Sequence, residues 1–224
     1  MSVGAEGERE SPLKLTEKAY RLLEEMIVTL QFAPGSTWSE TTICERIGIG
    51  RTPVREALQR LALDQLVEIV PRYGVVVTEI LVPEQIMVVE MRRAIDPLIA
   101  ARAARRSSPR ERARINEYRR KMMDTAVNGE IEEYLRLHQA VRGFVASCTR
   151  NKFLAGSLGP IDALSRRFFF AYQAERESLT KTVALQSVVL EAIASDNELE
   201  AAAAANRLVD YVEEFTRAAL DDQY

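Results

Sequence analysis

The apolar positions of this chain change period along its length, and the changes mark its parts. From Leu15 the residues Leu15, Ala19, Leu22, Leu23, Met26, Ile27 and Leu30 recur at intervals of three and four, the spacing of one helix face. "FAPGS" then supplies a Pro-Gly turn. Ser39 precedes a second helical stretch, "ETTICERIG", in which Ile43, Cys44 and Ile47 share a face and Gly48 stands where a helix stops. A third helix is predicted from Thr52-Pro53, a hydroxyl suited to the N-cap followed by a proline whose fixed φ suits the first helical position. On it Val54, Ala57, Leu58 and Leu61 point one way, and Arg55, Gln59 and, at the edge, Arg60 point another. Beyond Asp64, "LVEIVPRYGVVVTEI" drops to a period near two and is rich in β-branched residues. That predicts strands over Val67–Val70 and Val75–Glu79, joined at "PRYG". Three helices followed by a hairpin is the order of a winged helix-turn-helix.

From Pro83 onward the pattern is helical throughout. It predicts six helices, over about 83–106, 109–127, 130–148, 151–173, 176–195 and 197–220, with separators short enough to make neighbours antiparallel. Residues 1–13 are polar and aperiodic, which predicts a disordered arm. The expected organisation is therefore that arm, a winged helix-turn-helix over 14–80, and an all-α antiparallel helical bundle over 83–220. The fold class is mainly α with one small β-hairpin.

Composition adds little except through charge. At 47% hydrophobic and 28% charged the chain is of ordinary globular type. It has no apolar run of the ~18 residues that crosses a bilayer, and "MSVGAEGERE" has neither part of a signal peptide, so a cytoplasmic protein is expected. Cys44 and Cys148 lie far apart inside helical patterns, as reduced thiols do. Residues 1–79 hold nine Lys or Arg against twelve Asp or Glu, and residues 80–224 hold twenty-one of each. A nucleic-acid partner therefore has to be argued from local placement.

That placement is found in "IGIGRTPVREALQRL", where Arg51 and Arg55 stand four residues apart at a helix start. Cations there oppose the helix macrodipole by about 0.3–1 kcal/mol and need a compensating partner. Phosphates and guanine edges would serve, since arginine can bond guanine O6 and N7 together. Pairing with Glu45 and Glu56 on a solvated face is the alternative. The helix-turn-helix setting favours DNA.

The stretch from "LTEKAYRLLEEM" to "PRYGVVV" resembles the DNA-binding domain of the GntR family of bacterial transcription regulators, most specifically in "RTPVREALQRL". The resemblance implies that Arg51, Thr52 and Arg55 contact an operator, that Thr41 lies near the phosphate backbone, and that Arg72 and Gly74 at the wing tip approach the minor groove. Gly50 stands where the family usually has Ser or Thr. Gln65 stands where it usually has Gly, which suggests a less tight turn before the wing.

Residues 83–218 resemble the FCD effector-binding domain of the FadR-type subfamily, through "RRAIDPLIAARAA", "LHQAVRGFVASCTRNKFL" and "LQSVVLEAIASDNELEAA". Six helices suit its VanR-like branch better than the seven-helix FadR branch. Most such domains hold a divalent metal with an acid and three histidines. Here His138 is the only histidine, with Tyr134 at the acid's place, Gln186 at the second histidine's and Leu208 near the third's. One imidazole does not hold a zinc ion, so no metal cofactor is expected. His138 then reads as a hydrogen-bonded cavity residue or as part of a metal-free effector site.

Tyr134, His138 and Arg142 follow one helix face, and Arg92 resembles the position that meets an effector's acid group. A guanidinium is a good partner for a carboxylate. Solvent exposure is the alternative for Arg142, and an ion pair with Asp96 is the alternative for Arg92. The phenylalanines of "SRRFFFAY" belong to a core, a dimer interface or a ligand site. Neither a nucleophile with a base partner nor a phosphate-cradling glycine loop occurs, so no enzyme is expected.

The resulting expectation is a homodimeric, ligand-responsive repressor on a palindromic operator. Its effector would be a small organic acid held by Arg92, Tyr134, His138, Arg142 and Gln186. The competing class is a ligand- or partner-binding module that no longer uses its DNA domain.

Overall fold

The computed structural model of the chain describes residues 12–172 and 176–221, which fall into two compact units divided between Glu79 and Ile80. Residues 1–11 of the expected arm lie outside the described residues, and Pro12 and Leu13 already belong to the first helix.

In the first unit, α1 (Pro12–Val28) packs on α3 (Arg51–Leu63), with α2 (Glu40–Ile47) alongside. Ala19, Leu23 and Ile27 of α1 are buried, as are Ile43 of α2 and Val54, Ala57, Leu58 and Leu61 of α3, the helices packed together here. Three polar ties pin α1 to α3. Thr16 Oγ1 donates to Glu56 (2.7 Å), Tyr20 Oη donates to Asp64 (2.6 Å), and Arg60 pairs with Glu17 (2.8 Å). Arg60 also lies 4.0 Å over the Tyr20 ring, so this arginine secures the core's edge.

Helix α2 starts and stops as expected. Ser39 accepts from the Thr42 amide at 3.0 Å, and Gly48 ends the helix in the left-handed region at φ 67°. Helix α3, by contrast, begins at Arg51 rather than Pro53. Gly50 is its N-cap, with no side-chain bond, and Thr52 and Pro53 lie inside the first turn. Proline is tolerated there because the first four helical N–H groups have no intrahelical acceptor, so Pro53 marks the first turn without fixing its first residue.

Gln65 is a second correction. It takes φ 61° and closes α3 as a glycine would, with Leu66 N bonded to Leu61 O (3.0 Å) and Gln65 N to Ala62 O (3.1 Å). This is the full Schellman pattern, so the turn is as tight as with glycine, with some strain accepted at one residue.

The strands are β1 (Thr37–Trp38), β2 (Val67–Val70) and β3 (Gly74–Val77), in the antiparallel order β1-β3-β2. The second wing strand thus starts one residue earlier and ends two earlier than its alternation predicts. The pattern does not predict β1 at all, because two residues carry no period. Trp38 is held in place by an edge contact on Phe32, with ring centroids 4.5 Å apart. Gly74 is required by this pairing: its φ is 121°, and a Cβ would lie 2.6 Å from the Trp38 carbonyl oxygen.

The second unit is helical. It contains α4 (Val82–Arg106), α5 (Pro109–Asn128), α6 (Ile131–Cys148), α7 (Lys152–Gly156), α8 (Leu158–Tyr172), α9 (Arg176–Ala194) and α10 (Glu198–Asp221). α4 lies along α10, and α5 along α9 and α6. A capping box starts α5, where Ser108 Oγ takes the Glu111 amide and Glu111 takes the Ser108 amide at 2.8 Å.

The single helix expected over 151–173 is two, α7 and α8, so the described residues of this unit form seven helices, not six. The reason is in "AGSLGP": Pro160 has no N–H for the Gly156 carbonyl, and its ring would clash with that carbonyl in a continuous helix. Phe168 belongs to a core with Val82 and Ala219, stacked on Tyr172 with centroids 4.5 Å apart.

Candidate functional site

At the start of α3 the buried positions Val54, Ala57 and Leu58 face the core, which leaves Arg51, Thr52, Arg55 and Gln59 exposed on the other side. Thr41, in the first turn of α2, is exposed as well. Exposed backbone N–H groups at helix starts favour anions, and two arginines beside them add to the attraction. The arginines do not stand clear of acids, however. Arg55 grips Glu40, with Nη2 to Oε2 at 2.8 Å and Nε to Oε1 at 3.4 Å, rather than the Glu45 or Glu56 that spacing suggests. Arg55 first, and Arg51 more weakly, hold the Glu40 carboxyl below its ordinary range. A contact between residues fifteen apart in sequence carries no local signal.

The wing tip is the turn Val70–Tyr73, closed by Tyr73 N to Val70 O at 3.1 Å. Pro71 sets its second position, and Arg72 takes φ 66° at its third, a place where glycine or asparagine is usual. Arg72 and Tyr73 are both exposed, Tyr73 to 70%. Sequence reasoning passed over Tyr73, an uncovered aromatic beside an exposed guanidinium.

In the helical unit the five predicted effector residues converge. Two cavities share His138, Gln186 and Leu208. One, of about 70 Å³, is also lined by Asp96, Arg142 and apolar residues such as Val141, Leu190 and Ile193. The other, of about 40 Å³, is lined by Arg92, Tyr134, Ser165, Arg166 and Phe169. A single water needs ~10–15 Å³, so the larger one holds a molecule of a few heavy atoms.

The charged groups around these cavities are cross-linked across three helices. Arg92 Nε donates to Asp96 Oδ2 at 3.0 Å, its i,i+4 partner. Arg142 is not solvent-exposed: its side chain is 18% accessible, and both Nη atoms donate to Asp96, at 3.1 and 2.9 Å. Its Nε lies 2.9 Å from Asp162 Oδ1, and Arg166 Nε bonds Asp162 Oδ2 at 2.9 Å. Asp162 and Arg166 were not singled out in the sequence. The available signal was a charged i,i+4 pair on the otherwise apolar stretch "GPIDALSRRFFF".

Burial sets the ionisation. It pushes the His138 imidazole down to about 3; Asp162 opposes the shift, and Arg142, Arg166 and Arg92 add to it. His138 is therefore neutral near pH 7. Burial alone would raise the Asp162 carboxyl, but His138, Arg166 and Arg142 bring it to about 2. Burial likewise works against ionised Asp96, yet Arg142 and Arg92 lower its pKa. Tyr134, fully enclosed, is pushed up and stays a neutral phenol.

These groups do not fit a divalent metal. At the places where the resemblance implies an acid and a second histidine, Gln186 Nε2 donates to Tyr134 Oη at 2.9 Å, so the two bond each other. Leu208 offers no donor atom, and three guanidiniums near His138 repel a cation. Among the described residues no cluster of three His, Cys, Asp or Glu is placed to hold a metal.

Comparison with known proteins fits this geometry. Residues 15–77 match the family described as bacterial regulatory proteins, gntR family, and residues 87–211 match the FCD domain. An HTH-type transcriptional regulator of Agrobacterium vitis is 30% identical over 133 residues, 59% of this chain and 67% of that one. The HTH-type transcriptional repressor RspR of Escherichia coli is 36% identical over 90 residues, 40% of each chain. A Streptomyces ambofaciens regulator is 41% identical over 61 residues, 27% of this chain and 26% of its own length. The solved structure of E. coli McbR/YncC shares the fold at a TM-score of 0.79 and 16% identity, covering 92% of this chain and 98% of that one. No helix among the described residues is long and apolar enough to cross a membrane. The chain belongs to the GntR family: it is a transcription regulator, not an enzyme, with a helix-turn-helix DNA-binding domain followed by an FCD effector-binding domain.

Proposed function

We propose that this regulator is a cytoplasmic repressor that binds a palindromic operator as a homodimer and responds to a small carboxylate bound without a complete metal site. The DNA-binding domain spans residues 14–80, and the effector and dimerisation domain spans 83–220. The observation that carries the reading is the start of α3, where Arg51, Thr52 and Arg55 stand exposed on the side opposite the buried face. In the docking geometry of this motif, those residues enter the major groove and read base edges. Thr41 and the α2 amides lie along phosphates, and Arg72 reaches the minor groove beside Gly74. A twofold dimer places two such helices about one turn of DNA apart, roughly 34 Å.

For the effector, the support is the guanidinium-lined cavity, with Arg92, Tyr134, His138, Arg142 and Gln186 around it. Effector binding shifts the placement of the two DNA-binding domains, a coupling of about 1–3 kcal/mol. The name of the E. coli relative RspR, a transcriptional repressor, supports repression. Selection of random duplexes on the full chain tests the DNA reading. The expected result is enrichment of an inverted repeat bound by two chains per duplex. If no sequence is enriched, or a single half-site binds one chain, the proposal fails.

A further inference from the structure

Around the two cavities four buried atoms have no hydrogen-bond partner among the described residues: His138 Nδ1, Arg142 Nε, Asp162 Oδ1 and Gln186 Oε1. Such atoms are rare in native interiors, and a cluster of them marks a place where another molecule completes the bonding. The contact between Arg142 Nε and Asp162 Oδ1, at 2.9 Å, has ion-pair distance but not hydrogen-bond alignment. It is the loose joint of the network. Arg142 is also the most accessible member, at 18% of its side chain against 5–8% for Arg92, Asp96, Asp162 and Arg166.

We infer that the effector is a short-chain hydroxy acid, bound metal-free, whose carboxylate replaces Asp162 on Arg142 while its hydroxyl donates to Gln186 Oε1. This rests on the carboxylate reading above and deepens it. The exchange leaves no charge stranded. Asp162 keeps Arg166 Nε on its other oxygen at 2.9 Å. Its released Oδ1 has His138 Nδ1 at 3.6 Å, close enough for a small shift to make the neutral ring a donor. In the structure Gln186 Nε2 donates to Tyr134 Oη at 2.9 Å, and its Oε1 is the end left for a ligand donor.

A plain carboxylate brings only acceptors and leaves Gln186 Oε1 unpaired, whereas a hydroxyl satisfies it. An unmet buried acceptor costs about tenfold or more in affinity. The cavity of about 70 Å³, walled by Val141, Val145, Leu190 and Ile193, takes a short alkyl chain. The residues that replace the usual metal ligands thus build a different recognition chemistry, with the guanidinium as the cation.

The test is calorimetric titration of the full chain with two matched pairs, propanoate against 2-hydroxypropanoate and butanoate against 2-hydroxybutanoate, with and without EDTA. The hydroxy acids are expected to bind about tenfold more tightly, unaffected by chelator. Gln186→Leu should remove the preference for the hydroxy acid within each pair, and Arg142→Lys should weaken all four acids. Thermal midpoints report whether each variant is folded, and the wild-type comparison stands without them. Equal binding of the paired acids by the wild-type chain overturns the hydroxyl inference and leaves the carboxylate reading intact. Loss of binding on chelation overturns the metal-free site. Binding of none of the four acids at millimolar concentration overturns the inference and the carboxylate reading together.

Discussion

Arginine does opposite work in the two units. In the first, Arg51 and Arg55 lie on the surface, and Glu40 holds Arg55. In the second, Arg92, Arg142 and Arg166 lie inside a helical bundle and are cross-paired with Asp96 and Asp162. The exposed pair costs the fold little and is available to a polyanion. The buried set ties α4, α6 and α8 together through its own carboxylates. Side-chain chemistry alone therefore does not assign a role, because burial decides whether a charge is offered outward or consumed within.

The largest effect separating the units is on stability. Asp96→Ala would leave Arg92 and Arg142 buried without their shared carboxylate, at a cost of about 3–5 kcal/mol. Urea unfolding should show this as a lower midpoint, whereas Glu45→Ala in the first unit, an exposed acid, should shift stability by no more than about 0.5 kcal/mol. Similar losses at the two positions would break the contrast.

Next comes pH. The folded state holds His138 at about 3, below the ordinary 6.5, so the unfolded chain binds a proton that the folded chain refuses. Stability is full above about 6.5 and falls as pH drops toward about 3. Between pH 7.5 and pH 5 the loss is about 2 kcal/mol. Because His138 is the only histidine, His138→Gln should abolish the dependence in that window. A slope that survives the substitution would assign it elsewhere.

A smaller effect sharpens the comparison within the first unit. Gly74→Ala places a Cβ against the Trp38 carbonyl and should cost about 1–2 kcal/mol by thermal unfolding, unlike a change at exposed Thr52. The smallest effect concerns Glu40. Glu40→Gln removes an acid beside the exposed arginines of α3, so non-specific DNA affinity should rise about two- to fivefold in anisotropy titrations at low salt. No rise would mean that Glu40 does not restrain Arg55 in solution.

What the sequence reveals follows the distance over which each feature is built. The helix-turn-helix is legible because its determinants are local: the Ser39 cap, the Gly48 stop, and the run from Arg51 to Leu61 with its buried and exposed faces. Where local rules were pressed to single residues they slipped. Pro53 is allowed at several positions in a first turn, and Gln65 can pay the strain that glycine avoids. β1 is formed by pairing alone, so two residues betray nothing beforehand. The predicted effector residues Arg92, Tyr134, His138, Arg142 and Gln186 do converge, but the link from Asp162 to Arg142 on another helix leaves no trace in local spacing, although the i,i+4 pair of Asp162 with Arg166 does. The helix break at Pro160 was likewise legible, since a proline cannot bond the carbonyl four residues before it.

The central claim is that the exposed arginines at the start of α3 read DNA. Its most direct test is fluorescence anisotropy of the wild-type chain and the Arg51→Ala, Arg55→Ala double variant on the selected operator across a salt series. Each arginine should contribute about tenfold to a hundredfold, and loss of both should flatten the salt dependence. Thermal stability should remain near wild type, since neither side chain is buried. Unchanged operator affinity and salt slope in the folded double variant would contradict the account.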